Sequence, residues 1–290
     1  MKIAMHQITS GSNRDLRETY ESYANAGWSH FEVNLWETEG FVEKNGAKAL
    51  ADLVSDNGLS CVGATGLSIS AFSGEDAIAS SEAQIRQMAA VMDALDCRVI
   101  VVGGDTPGSD NPRVAKSTET ELAGRDEAYK SNMRQFADVV RRIAAAAGEY
   151  GVSLAMEVNW CGMCRSIRTM ATMVEMVDRD NVGAVWDPAH FFSTSSRLSD
   201  LKQLQSKIIH AHLNDFRDCI NEVMDINGDR VIPGQGVLPL RDWTDAVSDA
   251  GYKGYHCVEL FSEDVWTLSL DEIATSVKAG CLEVWPEATF

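Results

Sequence analysis

Four short stretches of the chain finish in residues that bind hard metal ions. They are Met156-Glu157-Val158-Asn159, Trp186-Asp187-Pro188-Ala189-His190, His210-Ala211-His212-Leu213-Asn214-Asp215 and Val258-Glu259-Leu260. Three carboxylates and one imidazole make a mostly oxygen donor set, which favours Mn, Mg or Co and accommodates Zn. Held together without a cation, the carboxylates would repel one another and resist leaving water. One divalent ion shared by Glu157, Asp187, His212 and Glu259 removes that conflict. Such a centre supports proton transfer beside a carbonyl. The ion polarises a carbonyl oxygen next to a hydroxyl, and a carboxylate removes the α-proton to leave an enediolate.

Four residues so far apart in sequence can meet only if the elements carrying them end at one place. Apolar runs bounded by turn residues alternate with helical periodicity along the whole chain. The runs predict strands over 3–8, 30–35, 59–67, 98–102, 153–158, 182–186, 208–213 and 254–261. Helices are predicted over 14–26, 42–56, 75–95, 126–150, 167–177, 198–205, 240–250 and 270–279. Two long polar segments, 103–124 and 217–238, interrupt the alternation, and the first has the length of a functional lid. Eight strand–helix units without an intervening linker predict an α/β chain, a single (β/α)8 TIM-barrel domain over 1–290. A doubly wound open sheet would usually carry a Gly-rich phosphate loop after the first strand, and neither GxGxxG nor a P-loop follows it.

Alternation within strands then sorts the side chains. Leu154, Met156 and Val158 fall on the helix-facing side, and Ser153, Ala155, Glu157 and Asn159 on the axis side. Ile209, Ala211 and Leu213 face out, with His210, His212 and Asn214 facing in. Ala184 and Trp186 face out against Val185 and Asp187. Val258 and Leu260 face out against Cys257 and Glu259. The ligand type is the last or nearly last inward residue each time, which places all four at the C-terminal mouth where barrel enzymes hold their sites.

Composition narrows the partners. The 290 residues are 45% hydrophobic with a net charge of −18. Nucleic acid needs a basic surface and is excluded as an expected partner. No run approaches the ~18 apolar residues of a membrane span, and no signal-peptide pattern opens the chain, so a cytoplasmic protein is expected. Seven cysteines fit a reducing compartment. The one CxxC, Cys161 to Cys164, lacks the second pair of a structural zinc site and reads as incidental.

The motifs MEVN, WDPAH, HAHLND and VEL, with the segments 229–236 and 251–255, make the chain resemble the xylose isomerase-like sugar isomerase and epimerase superfamily. That group includes ketose 3-epimerases, hydroxypyruvate isomerases, and inosose and dehydroshikimate dehydratases, with AP endonucleases as relatives. The resemblance covers nearly the whole chain and is strongest over 156–261. It implies Glu157, Asp187, His212 and Glu259 as metal ligands, Glu157 and Glu259 also as the acid/base pair, and His190 as a substrate contact beside the metal. It places a substrate-binding Arg near Arg217, and implies a homodimer or homotetramer. The AP endonucleases build a three-zinc centre from additional histidines. This chain has six in all, and none at the ends of its third and fourth strands, so one ion is expected.

Other residues stand near the predicted mouth. His6 ends the first strand facing inward, either toward a substrate hydroxyl or as a bonded barrel histidine. Asn159 and Trp160 follow Glu157, and an indole offers a face on which a sugar stacks. Glu32 and Asn34 alternate on the second strand and Trp36 follows them, as pocket lining or as a salt-bridged loop. His210 lies one layer below His212. Arg217 and Arg230 share the loop after the seventh strand. The reading is an isomerase or epimerase of a small carbohydrate-like keto-sugar or polyol ketone. A dehydratase of the inosose or dehydroshikimate type is the alternative, and a non-catalytic sugar-binding barrel is the third.

Overall fold

A computed structural model describes residues 1–107, 122–159, 162–194, 196–219 and 223–290, with backbone alone at 122–126 and 128. The strands are β1 (Ile3–His6), β2 (His30–Asn34), β3 (Ser60–Ile69), β4 (Val99–Gly104), β5 (Ser153–Glu157), β6 (Val182–Trp186), β7 (Ile208–Leu213), β8 (Asp215–Phe216), β9 (Arg230–Val231) and β10 (His256–Val258). Eight of them, all but β8 and β9, close into a barrel in the order β1-β10-β7-β6-β5-β4-β3-β2, and every pairing is parallel. The expected (β/α)8 architecture is what forms. No helix among the described residues is long and apolar enough to cross a membrane.

The helices are α1 (Leu16–Asn25), α2 (Leu35–Asn45), α3 (Ala47–Asp56), α4 (Glu75–Ala94), α5 (Leu122–Gly148), α6 (Ile167–Val177), α7 (Pro188–Ser193), α8 (Leu240–Asp249), α9 (Glu263–Trp266) and α10 (Leu270–Val284). The single helix expected over 42–56 is two. Gly46, at φ 84°, breaks the chain between α2 and α3 in a conformation side chains rarely adopt. α2 buries only Leu35 and Thr38, and the side chain of Asn34 caps it by accepting from the Trp36 N–H. A helix made by its cap rather than by an apolar stripe leaves little periodicity to read. The first strand stops at His6 and turns into a 3-10 segment over Gln7–Ser10, and the last is only three residues long. β3 and β4 run two residues past their expected ends. Most of the expected lid segment 103–124 lies outside the described residues.

The inward–outward alternation holds on β5. Leu154, Met156 and Val158 join the large outer cluster between sheet and helices, while Ala155 packs in the barrel interior with Val101 and Val185. A slip of one residue would bury the carboxylates among the helices and expose several apolar side chains, each worth ~2 kcal/mol or more of lost burial, so the register is tightly set. Ile209 departs from the expected outward direction. The β6–β7 register shifts between Ala184 and Val185, and Ile209 packs against the interior cluster instead. An extra residue in one strand reverses alternation locally.

Gly183 marks how closely strands approach here. A Cβ on it would lie 2.6 Å from the Lys207 carbonyl oxygen and 2.8 Å from the Ile209 side chain. The carbonyl belongs to backbone and cannot rotate away. Gly183→Ala is therefore expected to lower stability by about 1–3 kcal/mol, read as a lower urea midpoint with an unchanged slope. An unchanged midpoint would mean that β6 and β7 part more easily than this packing allows.

Candidate metal centre

The C-terminal ends of β5, β6 and β7, and the residue just past β10, bring Glu157, Asp187, His212 and Glu259 to one point at the barrel mouth. His212 Nδ1 stands 3.5 Å from Glu157 Oε1, 3.4 Å from Asp187 Oδ2 and 3.3 Å from Glu259 Oε2. Two ligands of one ion, each ~2.0–2.1 Å from it in tetrahedral array, would lie about 3.4 Å apart. His212 Nδ1 and Asp187 Oδ2 are buried and have no hydrogen-bond partner among the described residues. Buried polar atoms are nearly always satisfied, so these two ask for a ligand.

The other atoms of these residues are used by the protein. Asp187 caps α7, and its Oδ1 accepts from the His190 N–H at 3.2 Å and from Asn214 Nδ2 at 3.1 Å. That leaves Oδ2 for the centre. Glu157 Oε2 accepts from Asn159 Nδ2 at 2.9 Å, which leaves Oε1. Glu259 Oε2 accepts from Arg230 Nη1 at 2.5 Å, and its Oε1 lies 3.5 Å from His6 Nε2. Three carboxylates and one guanidinium leave two negative charges, which one divalent cation balances. The donor set thus fits a divalent ion.

The fields are strong because the groups are buried. Burial pushes the Glu157 carboxyl up, but the His190 and His212 imidazoles outweigh it and bring it down to about 2. Burial likewise opposes ionisation of Asp187, and Arg230 followed by the same imidazoles holds it well below the ordinary carboxylate value. Burial lowers His212, and Glu259 and Glu32 more than reverse this, lifting it well above the usual histidine value.

The remaining expected site residues separate. His190 is buried beside the centre, with Nε2 3.3 Å from Arg230 Nη2 and 3.4 Å from Asn159 Nδ2. Both neighbours donate, so Nε2 accepts. His6 is fully buried, and its Nε2 donates to Thr65 Oγ1 at 2.8 Å, so protein rather than cavity takes its proton. Arg217 does not reach the centre. It is 44% exposed at the side chain and paired with Asp229 at 3.4 Å and Asp264 at 3.2 Å. Arg230, from the same loop, holds the buried position that Arg217 was expected to approach. Trp160 and Cys161 lie outside the described residues, and Cys164 is buried in the core.

The signal for Arg230 lies in the chain around it. β8 and β9 form a hairpin in which Phe216 pairs with Arg230. Asp215 ties down the rest of the loop, accepting from the N–H groups of Gly234 at 3.0 Å, Gly236 at 2.9 Å and Leu238 at 3.0 Å. A strand-end Asp followed by a loop with closely spaced glycines is a readable sign of a pinned loop, whereas Arg217, next to β8, turns its side chain to Asp229 and Asp264.

A cavity of about 410 Å³ opens at this mouth, within the range of small-molecule sites. Its lining includes the polar groups of Glu157, His190, Arg230 and Glu259 and the apolar side chains of Leu67, Ile69, Phe136 and Met163. Trp36, 53% exposed, stands at its edge.

The chain shares 32% identity over 168 residues with the inosose isomerase of Halalkalibacterium halodurans, covering 56% of this chain and 59% of that protein. It shares 27% over 139 residues with the inosose dehydratase of Bacillus cereus, covering 43% and 46%. The chain thus spans about three fifths of the length of the isomerases it matches. Across 98% of both chains it superposes with a TM-score of 0.82 on the IOLI protein solved with a bound zinc atom, at 21% identity, a likeness of fold. Residues 21–280 match the family model described as a xylose isomerase-like TIM barrel, and the chain belongs to that family.

Proposed function

We propose that this protein is a divalent-metal-dependent isomerase or epimerase of a small polyol ketone, with an inosose as the leading substrate class. The observation that carries the reading is the pair Glu157 and Glu259. Each has one carboxylate oxygen in the ligand cluster and both line the same cavity. The matched relatives named inosose isomerase support the substrate class.

A divalent ion, when bound, supplies a Lewis acid that makes a carbon-bound proton beside a carbonyl easier to remove. Asp187, His212, Glu157 and Glu259 would hold it. Each glutamate keeps a second oxygen for proton work: Oε2 of Glu157, steadied by Asn159, and Oε1 of Glu259, facing His6. One glutamate takes the α-proton. Returning it to the opposite face inverts the carbon, and returning it to the neighbouring carbon moves the carbonyl. Arg230 and His190 orient oxygens of the substrate at the cavity wall. Buried apolar side chains around the mouth limit water and keep these charges effective.

Ion binding itself has a pH signature. His212 is raised well above the usual histidine value, so at neutral pH an incoming ion must displace its proton. Affinity for Mn, Co or Zn is expected to rise with pH, approaching tenfold per unit below that raised value, with about one proton released per ion. Calorimetric titration in two buffers of different ionisation heat measures this. Affinity that is flat with pH would argue against His212 as a ligand.

The reaction class is tested by loading the protein with Mn and incubating an inosose and a ketose panel in deuterium oxide. Incorporation of solvent deuterium at the carbon next to the carbonyl is expected. Glu157→Gln and Glu259→Gln should each slow it by 10²-fold or more. Ion-loaded protein that exchanges no substrate counts against the proposal. A β-elimination product absorbing in the ultraviolet would move the assignment to the dehydratase reading, which the 27% likeness to an inosose dehydratase supports.

A further inference from the structure

Below the centre lies a further buried carboxylate, outside the group formed by Glu157, Asp187, His212 and Glu259. Glu32 on β2 is fully buried, and three histidines surround it. Its Oε2 lies 2.7 Å from His210 Nε2. Its Oε1 lies 2.9 Å from Thr65 Oγ1, 3.4 Å from His212 Nε2 and 3.6 Å from His6 Nε2. We infer that Glu32 is the positioning residue of the metal centre. It holds a proton on His212 Nε2, so that Nδ1 presents its lone pair to the ion. The inference rests on the metal reading above.

Hydrogen counting fixes the direction of each bond. The Ile8 N–H donates to His6 Nδ1 at 3.0 Å. His6 therefore carries its proton on Nε2 and donates it to Thr65 Oγ1 at 2.8 Å. Thr65 has one hydroxyl proton, and it is left for Glu32 Oε1. An ionised carboxylate only accepts, so every group around it must donate. His210 and His212 then both carry a proton on Nε2. On His212 that leaves Nδ1 for the point where Glu157 Oε1, Asp187 Oδ2 and Glu259 Oε2 converge. Ligating histidines commonly give their other N–H to a carboxylate, which fixes tautomer and ring orientation.

The sequence makes room for this arrangement at Gly63, which pairs with Glu32 across β2 and β3. A Cβ on Gly63 would lie within 3.0 Å of both ring nitrogens of His210. Only glycine lets that ring stand in the barrel and clamp Glu32 from below. Thr65, on the same strand, clamps it from the side.

Glu32→Gln keeps the shape, but the amide has one oxygen and an NH₂ that only donates, so it cannot accept from all its neighbours. Calorimetric titration with Mn or Zn alone is expected to give a Kd 10- to 100-fold weaker in the variant. In ¹⁵N-labelled, zinc-loaded wild-type protein, the His212 Nε2–H is expected to be deshielded and protected from exchange, and this signature should be lost in Glu32→Gln. A merely structural Glu32 would lower the melting temperature of the ion-free protein and leave the Kd and the imidazole signature unchanged; that result overturns the inference. Should Glu32→Gln fail to fold, Thr65→Val removes one clamp and is expected to weaken binding several-fold, with an unchanged Kd overturning the inference. The wild-type imidazole signal tests it without any variant, and an exchangeable, unbonded Nε2–H also overturns it. Wild-type protein that binds no divalent ion fails the metal reading itself. Wild-type and Glu32→Gln protein binding alike fail Glu32 alone.

Discussion

Three carboxylates within 4.8 Å of one another and of one buried imidazole are the constraint on which this molecule turns. At that separation and an effective dielectric of ~20, each pair of like charges opposes the others by about 3 kcal/mol or more. Strand ends locked by their own apolar faces force the groups together. Arg230, itself 1% exposed, relieves part of the repulsion by bonding Glu259 and approaching Asp187. The rest is left to a cation. The hairpin, the Asp215 anchor and the buried salt bridges are all ways of delivering opposite charge to a place where the barrel has concentrated negative charge.

Much of this was legible in the chain. Glu157, Asp187, His212 and Glu259 could be read because each closes or nearly closes an apolar run, and alternation, a property of the strand itself, holds over the residues next to each of them even on β7, where it fails at Ile209. Helices with a strong stripe, such as α6, were also readable to the residue. What escaped depends on tertiary context. Ile209 turns inward because a neighbouring strand shifts register. α2 exists through a cap. Arg217 and Arg230 share one polar loop, and only the Asp215 anchor and the glycines after Arg230 bear on which one is buried while the other pairs with Asp229 and Asp264 at the surface. Glu32 was visible as an alternating carboxylate. Its environment was not, because His6, Thr65, His210 and His212 come from three other strands.

The two sides of the barrel divide the work. The candidate ligands come from the ends of β5, β6, β7 and β10, while β3 and β4 line the same cavity with glycines, apolar side chains and the hydroxyls of Thr65 and Ser68. The apolar part of that lining shares the cavity with a concentration of buried charge.

His6, Glu32 and Thr65 belong to β1, β2 and β3, whose backbone pairing with the second half of the chain is the β1–β10 seam. The donors and the network behind them therefore originate in different halves of the polypeptide. A chain that had assembled only its later strands would own every ligand yet lack the means to orient its imidazole. Tight ion binding would then require the closed ring and not the later strands alone.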